Sequence, residues 1–387
     1  IFTHDGETEY GKQKQSLAYS KDGGETWIKY HGNPVIPNPD GLYSTAFRDP
    51  KVIWIDDESN INGGEWLMVV AGASPGCARL FTSDNLIDWT YNSDMLTADG
   101  SYIRSDCPSL EKMYVNGDES NPKWVYNGAG RYYVVGDLVK NSDGLYEFNA
   151  ETNRLTLFNG DEATYATQTY FNDPKGRIIS MSWMQDPIAE GYFADKKWKG
   201  AMTVPFEHEL KYENGRYRLT SYPAEELWSL RGETVFEASD ISVNEETPDI
   251  LEGVYAETMN IEAEITIDDA EEFGFCLRAS EDFSQQTVIK YTVEDNMLTL
   301  DKTNSGVTHN TVKSFDMQPL SGNKIKLSIL VDVSTVDVFG NDGLSAISSF
   351  NFPDSSSTAM SFYTVGGSVK IDDIKIFAME SALPSSE

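Results

Sequence analysis

The sequence is organised around Ala46-Phe47-Arg48-Asp49-Pro50-Lys51-Val52. This stretch sets an Arg-Asp pair between an aromatic residue and a proline, then runs into Val52-Ile53-Trp54-Ile55. β-Branched and aromatic residues of that kind favour a pleated, half-buried strand. A charged pair at the start of such a strand is either a buried salt bridge that satisfies itself or a polar hand for a ligand. Downstream, Ser105-Asp106-Cys107-Pro108 supplies a second acidic station. Two carboxylates on neighbouring β units are the equipment of glycosidic-bond chemistry.

Composition narrows the field. The 387 residues are enough for two domains. Aromatic residues make up 12% of the chain, Gly is frequent, and long apolar runs of period 3.6 are nearly absent, which predicts an all-β protein. The formal net charge is -32 and the pI about 4.4. That balance repels nucleic acid and anionic membrane and suits a neutral substrate. Aromatics beside carboxylates suit sugars, whose C–H faces stack on rings; ordinary β-core packing is the alternative. No run of about 18 apolar residues exists, so no membrane span is expected. The three cysteines, Cys77, Cys107 and Cys276, are odd in number and widely spaced, unlike a disulfide framework or a zinc site. The four histidines are scattered, so neither a metal centre nor a cofactor is expected. The chain opens at Ile1-Phe2-Thr3-His4, without Met and in the middle of a strand pattern, so the natural N-terminus is expected upstream. Oligomeric state is not legible.

Repetition shapes the first half. Ser20-Lys21-Asp22-Gly23-Gly24-Glu25-Thr26-Trp27 fits the S-x-D-x-G-x-T-W Asp box, in which the Asp caps a tight turn and the Trp folds under the hairpin. A looser copy is Thr82-Ser83-Asp84-Asn85-Leu86-Ile87-Asp88-Trp89. Asp49 and Asp106 follow the two copies at similar distance. Further hairpins are predicted at Lys123–Tyr126 with Arg131–Gly136, and at Ala163–Phe171 with Arg177–Trp183. This is the mark of repeated four-stranded units, hence a β-propeller; at ~50–60 residues per unit, residues 1–222 hold about four blades. Residues 223–232, with Pro near the start and acids in the first turn, predict a short linker helix. From 233 to 387 the texture changes to period two, as in Met259–Ile265, Lys324–Leu330 and Val369–Ile376, with turns such as Gly340-Asn341-Asp342-Gly343. That predicts a C-terminal β-sandwich. The tail from Ser381 is small and polar, like a linker.

Taken in order, "FRDPKV", "SDCPSL", "AMTVP" and a sandwich carrying "VDVFGNDG" resemble glycoside hydrolase family 32, the β-fructosidases: invertases, inulinases and levanases. Gln15–Ser20, Asn33–Ile36 and Leu300–Gly306 also resemble family stretches, so the likeness covers nearly the whole chain. The resemblance implies a five-bladed β-propeller joined to a β-sandwich, with a funnel-shaped site at the propeller axis. It implies retaining hydrolysis of levan, inulin or sucrose, in which an Asp nucleophile and a Glu acid/base stand about 5 Å apart. A third carboxylate binds ring hydroxyls. By position, Asp49 resembles that third carboxylate, Arg48 holds it, and Asp106 stands where the acid/base stands. Phe47, Tyr165 and Trp183 are the expected sugar contacts, with Trp54 and Trp198 as further platforms or packing residues. Secretion is expected for a polymer-degrading enzyme.

The sequence also departs from the family. Asp106 replaces the usual Glu and is one methylene shorter, a displacement that matters where ~1 Å can cost orders of magnitude in rate. Glu111 stands as a fallback acid, expected to be exposed. The nucleophile motif, Trp-x-Asn-Asp-Pro-x-Gly, is expected upstream of Ile1. Asn172-Asp173-Pro174-Lys175-Gly176 matches Asn-Asp-Pro-x-Gly letter for letter but has the composition of a tight turn between strands. Ala163 stands where the family often has Asp, and Phe206 where it often has Arg, which predicts an altered sugar rim. These departures leave a rival reading, a carbohydrate-binding propeller that does not catalyse. A sialidase-type propeller ranks lower: it needs an arginine cluster, for which Arg48, Arg79, Arg104 and Arg131 are the only candidates.

Overall fold

The computed structural model describes residues 1–5, 13–38, 46–58, 60–72, 77–104, 106–157, 164–185, 200–307 and 312–382. Ser105, Ala163, Trp198 and the last residues of the polar tail lie outside them. The protein is all-β apart from two short 3-10 turns among the described residues. By contacts it divides into two compact units: 1–157, 166–178 and 209–217 in one, the remainder in the other.

Two hairpins open the first unit: β1 (Phe2–His4) with β2 (Lys14–Ser16), and β3 (Ala18–Tyr19) with β4 (Ile28–Lys29). The Asp box closes the second hairpin. Asp22 accepts the Thr26 N–H at 3.0 Å and its hydroxyl at 2.5 Å, and Ser20 Oγ accepts the Gly24 N–H at 2.8 Å. Those bonds hold the Asp22 carboxyl down at about 2. Trp27 is 65% exposed and not folded under the hairpin; its indole N–H caps the Gly24 carbonyl. In the looser copy Asn85 takes the part of Asp22, accepting the Ile87 and Asp88 N–H groups, and Trp89 caps the Leu86 carbonyl.

Next come β5 (Phe47–Asp56), β6 (Gly64–Gly72), β7 (Arg79–Ser83) and β8 (Thr90–Asp94), a four-stranded antiparallel sheet in sequence order. The following sheet uses β9 (Pro108–Tyr114), β10 (Pro122–Gly128), β11 (Tyr132–Lys140), β12 (Tyr146–Ala150) and β13 (Leu155–Thr156), in the order β12-β11-β10-β9 with β13 on β11. A shared core of Ile53, Leu67, Leu80, Leu110, Tyr126 and Val134 lies between these two sheets. The predicted hairpin around Gly128-Ala129-Gly130 is present.

A third sheet follows: β14 (Thr164–Thr169), β15 (Ile178–Met184), β16 (Ala201–Met202) and β17 (Phe206–His208). The hairpin of β18 (Leu210–Glu213) and β19 (Arg216–Leu219) precedes its last strand, β20 (Tyr222–Pro223), and the order is β14-β15-β17-β20 with β16 on β15. The predicted linker helix is a 3-10 turn over Glu225–Leu230 with Glu225 and Glu226 in its first turn.

The remaining strands build the sandwich. They are β21 (Arg231–Asn244), β22 (Met259–Ile267), β23 (Glu272–Ala279), β24 (Gln286–Thr292), β25 (Met297–Asn304) and β26 (Val312–Asp316). After them come β27 (Lys324–Val331), β28 (Thr335–Gly340), β29 (Ser345–Phe350), β30 (Ala359–Val365) and β31 (Ser368–Met379). One sheet runs β21-β31-β22-β27-β28-β29 and the other β26-β25-β24-β23-β30. Alternate residues Ile261, Ala263, Ile265 and Ile267 of β22 enter the shared core. In β31 strict alternation would bury Asp373. A bulge opposite Glu264 and Ile265 shifts the parity there, so Val369, Ile371, Ile374 and Ile376 all reach the core. Within the same unit Phe206 packs edge-on against Phe339 at 5.8 Å and is fully buried. That corrects the expectation that Phe206 alters a sugar rim.

Candidate active site

The site forms where β5 and β9 begin. β5 is bulged: Arg48 pairs with Ala71 and Lys51 with Val69, so Asp49 and Pro50 together oppose one residue. Asp49 takes φ 58°, left-handed backbone that Asp tolerates better than most residues. Cys107 just before β9 (φ 47°) and Ala166 near the start of β14 (φ 54°) repeat that conformation. Such backbone costs about 1–3 kcal/mol per residue and persists only where the surroundings fix it.

Those surroundings are visible at Asp49. Its N–H donates to Thr3 Oγ1 at 3.0 Å, the Thr3 hydroxyl donates to Gln15 Oε1 at 3.3 Å, and Gln15 Nε2 donates to the Phe47 carbonyl at 2.9 Å. Gln15 is fully buried, so its end of the clamp is shielded from water. Sequence reasoning gave Thr3 and Gln15 no role, although Gln15 opens a stretch that resembles the family.

Arg48 joins the two acidic stations. Its Nε and Nη2 both reach Asp106 Oδ1, at 3.0 and 2.8 Å, and Nε lies 3.8 Å from Asp49 Oδ2. The Arg48 and Asp49 side chains are each 30% exposed, so the cluster is partly open to solvent. Asp49 Oδ2 also accepts the Cys107 N–H at 2.9 Å, with the thiol at 3.7 Å. Burial and the two neighbouring carboxylates push the Cys107 thiol up to about 12, so it stays protonated and faces Asp49 as a weak donor. Cys77, Cys107 and Cys276 are all free.

Beneath the cluster lies a second charged group. Lys51 Nζ donates to the Thr169 carbonyl at 2.6 Å and lies 3.8 Å from Glu111 Oε1; the Thr169 hydroxyl donates to Glu111. The Glu111 side chain is only 14% exposed, which corrects the expectation of a solvent-facing fallback acid. Burial pushes the Glu111 carboxyl up and the Lys51 ammonium down, against their mutual attraction.

Phe47 also differs from expectation. Its ring is fully buried against Phe81, Met68 and Val70 and offers no face to a sugar. Tyr165 and Trp183 belong to the other unit, where their rings lie 6.4 Å apart and Trp183 is partly exposed. Trp54 stands edge-on to Trp66 at 5.1 Å and bonds Asp56, a packing role. Asp173 is the turn residue its composition predicted: it accepts the Lys175 N–H at 2.9 Å and pairs with Arg177 at 3.1 Å. Of the arginines of the sialidase reading, Arg79 pairs with Asp94 and Arg104 lies over the Tyr102 ring.

Two family models together match nearly the whole chain. The model of the Glycosyl hydrolases family 32 N-terminal domain matches residues 1–223, and that of the family 32 C terminal matches residues 226–378. A levanase of Bacillus subtilis is 33% identical over 402 residues, covering 98% of this chain and 56% of that protein. A levanase of Bacillus sp. (strain L7) is 35% identical over 396 residues, covering 96% of this chain and 41% of the levanase. The extracellular exo-inulinase inuE of Aspergillus niger is 30% identical over 399 residues, covering 94% of this chain and 71% of its own length. This chain therefore spans about half the length of the two levanases. The crystal structure of exo-inulinase from Aspergillus awamori superposes with TM-score 0.80 at 27% identity, covering 96% of this chain and 75% of that one. Fructan 1-exohydrolase IIa from Cichorium intybus shares the fold, with TM-score 0.78 at 21% identity over 98% of this chain and 81% of the other. With both halves of the chain matched, the chain belongs to glycoside hydrolase family 32.

Proposed function

We propose that this chain carries the Arg48–Asp106 station of a retaining β-fructosidase acting on levan or inulin, with sucrose as a smaller substrate. The observation that carries the reading is one guanidinium, Arg48, lying beside Asp49 and bonded to Asp106, 58 residues further along the chain. Asp106 serves as the acid/base at the leaving oxygen. Asp49 binds ring hydroxyls and stabilises the positive charge that develops at the anomeric carbon. Arg48 orients both. No Trp-x-Asn-Asp-Pro-x-Gly motif occurs in these 387 residues.

In this reading the first three sheets and the opening hairpins supply about four blades of a five-bladed propeller over residues 1–222. Residues 223–232 form the connector and 233–387 the sandwich. The family boundaries at 223 and 226 support that division. The relatives named extracellular support secretion. Among the described residues no helix is long and apolar enough to cross a membrane.

The test is fructose release from levan and inulin by the natural protein that spans this chain, followed by NMR to assign the anomer first formed. Retention is expected. Asp106→Asn should lower the rate about 10²–10⁴-fold, the usual worth of a general acid/base. Turnover within a few-fold of the parent would remove Asp106 from that role. A binding-only site is the second reading, favoured by the short Asp106 side chain with two Arg48 donors on Oδ1. Fructan binding without fructose release would select it.

A further inference from the structure

Among the described residues β18 and β19 pair only with each other and join no larger sheet. Their loop is Asn214-Gly215, with φ 51° and 79°, the positive-φ pair of a type I′ turn. A lone two-stranded hairpin is marginal in water. This one is held from outside. Asn116 Oδ1 accepts the Tyr212 N–H at 3.0 Å, and the Tyr133 hydroxyl donates to the Tyr217 carbonyl at 3.2 Å. The Tyr217 hydroxyl donates to Glu151 at 2.8 Å, and Lys123 donates to the other oxygen of that carboxylate. Burial and the Glu151 charge push the Tyr217 phenol up to about 12, so it remains a donor.

Between this hairpin and the segment Val115–Asn121 lies a recess of about 530 Å³. That is within the range of small-ligand clefts, about 300–1,000 Å³. Tyr212 is 48% exposed and stands edge-on to Tyr217, the ring centroids 4.9 Å apart. Asn121, Arg216 and Glu151 complete the polar wall. An exposed ring face ringed by an amide, a guanidinium and a carboxylate suits a neutral polyol: C–H bonds lie on the ring and hydroxyls pair with the planar groups. The net charge of -32 argues against an anionic polymer.

We propose that this recess is a second, non-catalytic site that holds a fructan chain. It rests on the reading of the protein as fructan-active. Cys107 and Asn116 stand at opposite ends of the seven-residue strand β9. At ~3.3 Å per residue that separates the recess from the Asp49–Asp106 station by about 23 Å. A polymer held here raises the local concentration of its own free segments at the station, whereas a disaccharide cannot engage both places.

The test is electrophoresis of the full chain through native gels containing levan, inulin or, as a control, dextran. Migration reports binding and needs no turnover. The parent should be slowed by levan or inulin and not by dextran. Tyr212→Ala should weaken that retardation about tenfold in apparent Kd, and Tyr212→Phe, which keeps the ring, should restore it. Parent-like retardation of Tyr212→Ala overturns the proposal, as does unretarded migration of the parent or equal retardation by dextran. Fructose release is scored separately, so loss of the hydrolase reading and loss of the recess are distinguishable.

Discussion

Asp337 sits on β28 with its residue 4% exposed and, among the described residues, no hydrogen-bond donor on Oδ1. Burial, with the charge of Asp332 added, pushes its carboxyl from 3.8 up to about 7. The fold thus favours the protonated form, which an unfolded chain releases near pH 4. Between about pH 4 and 7 the native state binds the extra proton, so stability falls by about 1.4 kcal/mol per pH unit and levels off above 7. Asp337→Asn mimics the protonated acid. It should therefore raise the melting temperature at pH 8, by an amount equivalent to a few kcal/mol, and change it little at pH 4. Equal gains at both pH values would show that the carboxylate is not the cause. The strand pattern around Val336-Asp337-Val338 gave no hint of this, because burial on both faces of a strand is set by what packs on each face. Asp22 was legible for the opposite reason: its partners lie within four residues.

Three strands meet through Lys51 on β5, Glu111 on β9 and Thr169 on β14. Removing one member of a buried charge pair strands the other, at a cost of about 3–5 kcal/mol. Lys51→Met should therefore destabilise the protein by that order in urea denaturation, and adding Glu111→Gln should return much of the loss. If the double variant is no better than the single, the pair is not coupled. The same region shows how far an element can be read in advance. The strands at 47–56 and 108–114 follow from β-branched and aromatic composition. The bulge at Asp49-Pro50 does not, since it depends on the register against β6. The β18–β19 hairpin did carry a local signal, Asn214-Gly215, which the sequence reading passed over.

The chain carries 62 acidic and 30 basic residues. A net charge of this size destabilises a compact state by self-repulsion, and salt screens it over a Debye length of about 10 Å at 0.1 M. Raising NaCl from ~10 mM to ~0.3 M should lift the melting temperature by several degrees; a flat or falling response would mean that local ion pairs outweigh the overall repulsion. The second unit contains both the sandwich and most of the third sheet, joined by Phe206 and Tyr222 against Phe339, Arg218 to Asp316, and the Ser221 N–H to the Gly343 carbonyl. Periodicity reports where side chains point, not which sheets share a core.

Local chemistry alone determined the all-β class, the Asp-box turns, the turn identity of Asp173, the alternating strands of the sandwich and the two acidic stations. In each case the deciding atoms lie within a few residues of one another. Tertiary structure decided that Arg48 grips Asp106 as well as lying beside Asp49, that Thr3 and Gln15 clamp the strained backbone at Asp49, that Phe47 is core and that Glu111 is buried. Each of those depends on contacts between residues tens of positions apart, whose free energy exists only once the sheets have packed and water has left between them.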